Sequence, residues 1–202
     1  MKRILFIVGV FLMFLDQTAI AEETWKLEKN KNEIKVWTRK PVNSSLKEFK
    51  SITSVNSALD KVVSYFRNYK SFDKWMYRVI PGSVKQLKLN NENDFYIQVL
   101  MSAPLIKTRE IITRYLFSKP DEKGAITITV ENAFNILPEN NDYVRVKKIT
   151  AIWKFTPLAN NKTEIYHQAI TDPGGSIPTA FINMAIADAP FTMLSKLKET
   201  FK

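Results

Sequence analysis

The chain has 202 residues, 45% of them hydrophobic and 25% charged, the profile of one soluble globular domain able to bury a substantial core or a core with a cavity. With no cysteine and one histidine, it excludes disulfides, thiolate metal sites, cysteine nucleophiles and any two-histidine metal centre. A formal net charge of +10 favours anionic surfaces such as lipid headgroups, and serves solubility equally well.

Residues 1–21 read as a cleavable export signal. Lys2 and Arg3 form a basic start, Ile4 to Leu15 an apolar core, and Ala19-Ile20-Ala21 a small-x-small cleavage site. The apolar run is too short for a bilayer span, which needs roughly 20 residues. The mature chain is therefore expected to begin at Glu22 and to work in the periplasm or outside the cell. Residues 22–202 then form a single domain. Basic residues are dense from Lys26 to Lys50, but acids are mixed among them. That mixture suits a solvated strand surface rather than a nucleic-acid track, and no nucleic-acid partner is expected.

Residues 33–40 and 46–55 read as a strand pair. Ser57 and Asp60 have capping-box spacing, and Leu59, Val62, Val63 and Phe66 then mark one face of a helix reaching about Asn68. A shorter helical piece carries Phe72, Trp75 and Met76. Strands follow at 84–89, 94–101, 107–117, 125–134, 143–156 and 163–171, separated by turn signals such as Pro104, Pro138 and Asn160-Asn161. Within 143–156 the apolar positions change parity, from Val144 and Val146 to Ile149, Ala151, Trp153 and Phe155. A strand cannot do that without an extra residue, which predicts a β-bulge near Lys147-Lys148.

After the last strand comes Asp172-Pro173-Gly174-Gly175-Ser176-Ile177-Pro178. Adjacent glycines permit positive φ and a sharp turn off the sheet edge. Pro178 suits the first turn of a helix, where a missing N–H leaves no bond unmade. Asp172 is expected to accept backbone N–H bonds from the turn. Ile182, Ile186, Ala189, Met193, Leu197 and Phe201 then recur three or four residues apart, as one apolar helix face. Pro190 inside that helix predicts a kink, or a weak point at which part of the helix lifts as a lid.

The order Trp153, Pro157, Thr163 to Thr171, Asp172 to Gly175, Ile177-Pro178 and Asn183 resembles the C-terminal signature of the START domains, lipid-transfer modules related to the steroidogenic acute regulatory protein, particularly the bacterial members. Similarity of order runs from about Glu33 to the end, and residues 149–183 carry its specific part. Pro104 followed by Arg109-Glu110 is a weaker echo of an Arg-acid step in the family, with Glu110 in place of the usual Asp. The resemblance implies an α+β helix-grip fold, a strongly curved antiparallel β-sheet wrapped around a long C-terminal α-helix. It also implies one lipid or sterol-like molecule held between sheet and helix. Family members often place a charged pair in that cavity, for which Arg109, Glu110, Arg114 and Arg145 are the candidates.

Catalytic constellations are scarce. His167 lies in a strand between Tyr166 and Gln168, where a structural role is expected, and no G-x-S-x-G turn or glycine-rich phosphate loop exists among five glycines. The abundant aromatic and Met side chains either line a cavity or fill a core, and the resemblance favours the cavity. The expectation is a non-catalytic lipid-binding and lipid-transfer protein without cofactor, acting as a monomer and touching anionic membranes transiently. Its ligand contacts are expected at Phe181, Ile182, Ala185, Ile186, Ala189, Trp153 and Tyr115. The alternatives are a helix-grip enzyme of cyclase or hydrolase type acting on a hydrophobic substrate, and a secreted interaction module with a filled core.

Overall fold

The computed structural model describes residues 24–202; the export signal and its cleavage site lie outside the described residues. Within them, ten strands form one sheet: β1 (Lys26–Lys31), β2 (Ile34–Arg39), β3 (Glu48–Val55), β4 (Lys85–Asn91), β5 (Asp94–Ala103), β6 (Ile106–Phe117), β7 (Ile126–Asn132), β8 (Val144–Arg145), β9 (Lys148–Leu158) and β10 (Lys162–Asp172). The order is β1-β2-β3-β10-β9-β7-β6-β5-β4, all antiparallel, with the short β8 lying parallel beside β6. Helices α1 (Leu59–Arg67) and α2 (Phe72–Trp75) connect β3 to β4, and α3 (Thr179–Ala185) and α4 (Asp188–Thr200) close the chain.

Alternation along the strands selects the core face. In β10, Thr163, Ile165, His167 and Ala169 are buried while their neighbours are half-exposed, and in β9 the same holds for Ala151, Trp153 and Phe155. One core unites Val36 from β2 with Phe95 and Ile97 from β5, although these strands lie far apart in the sheet order. The sheet therefore curls, and α4 sits in its grip against β2, β3 and α2. Leu194 and Leu197 of α4 are sealed in that core, and α1 covers β9 and β10. This is the expected helix-grip architecture.

Several local expectations need correction. The 26–31 segment forms an edge strand that alternation does not reveal, because nearly all its side chains are exposed. It returns through Asn32-Glu33, both at positive φ, the two-residue hairpin geometry whose twist suits the strands. The capping box at Ser57 does not form: Ala58 precedes α1 with no side-chain cap, and the Ser57 carbonyl accepts from Thr163 Oγ1 at 2.7 Å. Pro178 stands just before α3 rather than in its first turn.

The expected bulge at Lys147-Lys148 is a larger event. Val144 and Arg145 pair with Arg109 and Glu110 of β6, and the Val146 N–H bonds the Glu110 carbonyl at 2.9 Å. From Lys148 onward the chain pairs instead with β10, and from Thr150 with β7 as well. The change of apolar parity thus marks a change of neighbour. The C-terminal helix is likewise divided, at Ile186–Ala187. Pro190 cannot donate to the Ile186 carbonyl, so the break falls one turn ahead of it and Pro190 sits in the first turn of α4.

Candidate functional site

The concave face of the sheet is built in rows, set by strand register. The row Ile165–Phe155 lies deepest toward the β9–β10 hairpin, followed by Ser51–His167–Trp153–Ile128 and then Phe49–Ala169–Ala151–Val130–Tyr115. The deep end is closed by aromatic packing. Phe66 lies 4.7 Å from Phe155 and 5.1 Å from Trp153, and Trp75 meets Trp153 at 5.3 Å between ring centroids. Phe66, Phe72 and Phe155 have no accessible surface.

The other end differs. There the inward positions of β9 and β10 are the directly paired alanines Ala151 and Ala169, where the preceding rows carry Trp, His, Phe and Ile. Above this end the chain turns off β10 into α3. No residue of α3 is buried, and its Asn183 is bonded to the β2–β3 loop at this same end of the sheet. Phe49, Ala151, Ala169, Ala187 and Met193 belong to the core cluster yet each retains 6–9% exposure. Small inward side chains at the end of the sheet where an unburied helix begins define the candidate site.

The cover is held at its ends by polar contacts. Asn183 accepts the Lys47 backbone N–H at 2.8 Å and donates to the Ser45 carbonyl at 3.0 Å, tying α3 to the β2–β3 loop. At the start of α4, Asp188 pairs with Lys29 of β1 at 2.6 Å. Gly174 and Gly175 have φ of +65° and +71°, as the turn requires, and Asp172 accepts the Gly174 N–H at 2.9 Å. Arg109 braces the same turn, donating to the carbonyls of Gly174 at 3.1 Å and Pro173 at 3.4 Å, and burial pushes its guanidinium below the usual arginine range. Beside the turn opens a cleft of about 430 Å³ lined by Glu139, Tyr143, Lys147, Lys148 and Asp172, with polar walls of mixed charge.

The four charged candidates separate by strand parity. Tyr115 and Phe117 of β6 face the core, so Glu110, Ile112 and Arg114 face outward. Glu110 and Arg145 do form a pair, at 2.6 Å with both side chains buried, but on the convex face. Gln98 also bonds Glu110, and the Arg145 guanidinium holds the carbonyls of Phe134, Leu137 and Pro138, closing the 133–138 loop over the sheet. Arg114 pairs with Asp94 at 2.7 Å, which holds that carboxyl at about 2. Neither pair faces the concave side.

The seven residues expected to contact ligand divide in the same way. Ile182, Ile186 and Ala189 are half-buried on the inward side of α3 and at the start of α4, and Ile186 and Ala189 pack against the core. Phe181 is 61% exposed and Ala185 is also exposed, because the break at Ile186–Ala187 ends the continuous helix face that spacing suggested. Trp153 and Tyr115 are buried in the aromatic rows, next to the alanine row and within it. Ala151, Ala169 and Phe49 are additions to the expected set. The two alanines were visible as small residues at inward strand positions, but that signal has meaning only once register sets them side by side at the α3 end of the sheet. His167 is buried, stacked on Trp153 with centroids 3.6 Å apart and edge-on to Phe49 at 5.0 Å; burial lowers its pKa to about 3.

Comparison with known proteins agrees with this architecture. The START domain family model matches residues 12–202. A STAR-related lipid transfer protein from Xanthomonas axonopodis superimposes with a TM-score of 0.80 at 30% identity, covering 88% of this chain and 98% of that one. Human StAR-related lipid transfer protein 5 shares the fold with a TM-score of 0.73 at 18% identity, covering 88% and 86% of the two chains. An uncharacterized protein of Pseudomonas aeruginosa is 26% identical over 181 residues, covering 89% of this chain and 87% of its own length.

Proposed function

From the premise that this chain belongs to the START domain family, we propose that it holds one lipid or sterol-like molecule between the alanine row and α3, and carries it through water between membranes after export. A single observation carries this reading: α3 buries none of its residues while the sheet, at the end where the chain turns off β10 into α3, presents Ala151 and Ala169. A helix that served only to close a filled core would bury an apolar stripe, as α4 does with Met193, Leu194 and Leu197. An apolar molecule in the gap would complete the burial that α3 lacks, and each CH₂ withdrawn from water would contribute ~0.8 kcal/mol. The break at Ile186–Ala187 offers the hinge on which α3 lifts for exchange. Binding and release without chemistry is the role this arrangement supports best.

The export signal read at residues 1–21 puts this activity in the periplasm or outside the cell, with a monomer as the carrier. Anionic membranes are the proposed donor and acceptor, given the net charge of +10, which removal of Lys2, Arg3 and Asp16 with the export signal lowers only to 28 − 19 = +9. Leu105 is fully exposed and at positive φ in the β5–β6 turn, an apolar tip suited to enter a bilayer.

The test is to fill the site from the sheet side. Ala151→Phe is expected to block uptake of a fluorescent lipid while leaving the melting temperature close to that of the unsubstituted protein. In a filled core the same change would overpack and cost about 1–3 kcal/mol. Solvent extraction of protein purified from cells, followed by mass spectrometry, is expected to return a lipid in near-stoichiometric amount. A strongly destabilised variant together with an empty extract would establish a filled core and end this reading.

A further inference from the structure

The concave face satisfies its buried hydroxyls with one another, with backbone or, for Thr38, with the Glu28 carboxylate at 3.0 Å. Ser51 donates to the His167 carbonyl at 3.3 Å, Thr53 to the Glu33 carbonyl at 3.0 Å and Thr163 to the Ser57 carbonyl at 2.7 Å, while Tyr115 is bonded by Thr113. His167 is the exception. Its Nδ1 is enclosed and has no hydrogen-bond partner. Among the described residues, the two other enclosed side-chain polar atoms without partners, Tyr65 Oη and Asp73 Oδ1, belong to the helical segment at the aromatic end. An unpaired buried polar atom is costly enough that native interiors nearly always satisfy it.

Its position gives the exception meaning. His167 lies one row from Ala169 along β10, and its cross-strand partner Trp153 lies one row from Ala151. The imidazole, kept flat by stacking on Trp153, thus borders the alanine row, with 4% of the residue still accessible although Nδ1 is sealed. We propose that His167 is the polar anchor of the bound molecule, and that the ligand is an uncharged lipid whose hydroxyl reaches the imidazole while its apolar body lies over Ala151 and Ala169. The inference rests on the lipid-binding reading above. A hydroxyl both donates and accepts, so it fits whichever nitrogen of a neutral imidazole carries the proton. A carboxylate or phosphate would enter an aromatic floor with no bonded cation, at a high desolvation cost. Burial, which holds His167 in its neutral form, favours the uncharged group further.

The experiment compares pyrene-decanol with decylpyrene, probes that differ by one hydroxyl, by energy transfer from tryptophan, Trp153 being in contact with His167. The unsubstituted protein is expected to bind the alcohol about tenfold more tightly than the hydrocarbon. His167→Leu is expected to bring that ratio close to one, and His167→Gln, which can still donate and accept, to restore most of it. A ratio is insensitive to general loosening of the fold, and circular dichroism establishes that each variant is folded. A preference retained in His167→Leu, or no preference in the unsubstituted protein, overturns the assignment. Should neither probe bind the unsubstituted protein, the lipid-binding reading itself fails and takes this inference with it. Hydrocarbon binding without discrimination removes only His167.

Discussion

His167 is the one histidine of the chain, so its titration can be read without competition from another imidazole. Its folded pKa, lowered by burial to about 3, lies below the ordinary 6.5. The unfolded chain therefore binds a proton across the interval that the folded chain does not, and stability falls as pH falls through it. Glu33, Asp121 and Glu139 are held below the usual carboxylate range by lysine partners, so their contributions are lost only below about pH 4.5. Between pH 6.5 and 5, unfolding monitored by denaturant is expected to show stability dropping by up to about 1.4 kcal/mol per pH unit. His167→Leu should flatten that slope. The Glu110–Arg145 pair offers a second measurement on single side chains. With both groups buried, Glu110→Gln leaves the Arg145 guanidinium without its carboxylate, and a loss of ~3–5 kcal/mol is expected in thermal or chemical denaturation. Lipid affinity of the folded fraction should not change, because the pair faces the convex side.

Among the elements, the turn between β10 and α3 carries the most constraint. A Cβ on Gly174 would meet Val144 Cγ1 at 3.3 Å, and one on Gly175 would meet Arg109 Nη2 at 3.2 Å. Both positions also sit in the left-handed region, where a side chain costs ~1–2 kcal/mol per residue. Gly175→Val is therefore expected to lower the melting temperature and to weaken lipid binding together, since displacing Arg109 frees the Gly174 carbonyl it holds and shifts the start of α3. Binding lost at an unchanged melting temperature would instead mean that the turn touches ligand directly. The β8 segment shows why this turn tolerates no bulk: Val144 lies against it as the chain leaves β6 for β9.

At the scale of the molecule, charge and the exposed apolar tip act together. Transfer of a fluorescent lipid between vesicles should accelerate when the acceptor contains phosphatidylserine and slow as salt rises, because screening shortens to ~8 Å at physiological ionic strength. Leu105→Asp is expected to slow transfer several-fold without affecting affinity for lipid in solution. Insensitivity of the rate to both salt and anionic lipid would remove membrane charge from the mechanism. Stopped-flow measurement of vesicle-to-vesicle transfer supplies the check.

Much of this molecule was legible in one dimension because period-two alternation and turn chemistry are local. The strands from β2 to β10 fall close to their expected places, except that the single strand expected over 143–156 divides into β8 and β9, and the Asp172–Gly175 turn adopts the positive φ its glycines imply. The family signature also lies in contiguous residues, 149–183, so it could be read without knowing any long-range contact. Helical spacing misled at α3, where Phe181 and Ala185 share a periodic pattern with residues that face inward but lie beyond the break caused by Pro190. The convex position of the Glu110–Arg145 pair follows from a loop folding back across strands, a pairing between residues 35 apart that no local pattern encodes. The candidate site belongs wholly to tertiary structure. Ala151 and Ala169 are unremarkable strand residues until antiparallel register brings them side by side at the end of the sheet where a helix that buries nothing of its own begins. Space between elements is a property of their packing, and packing depends on contacts distant in the chain.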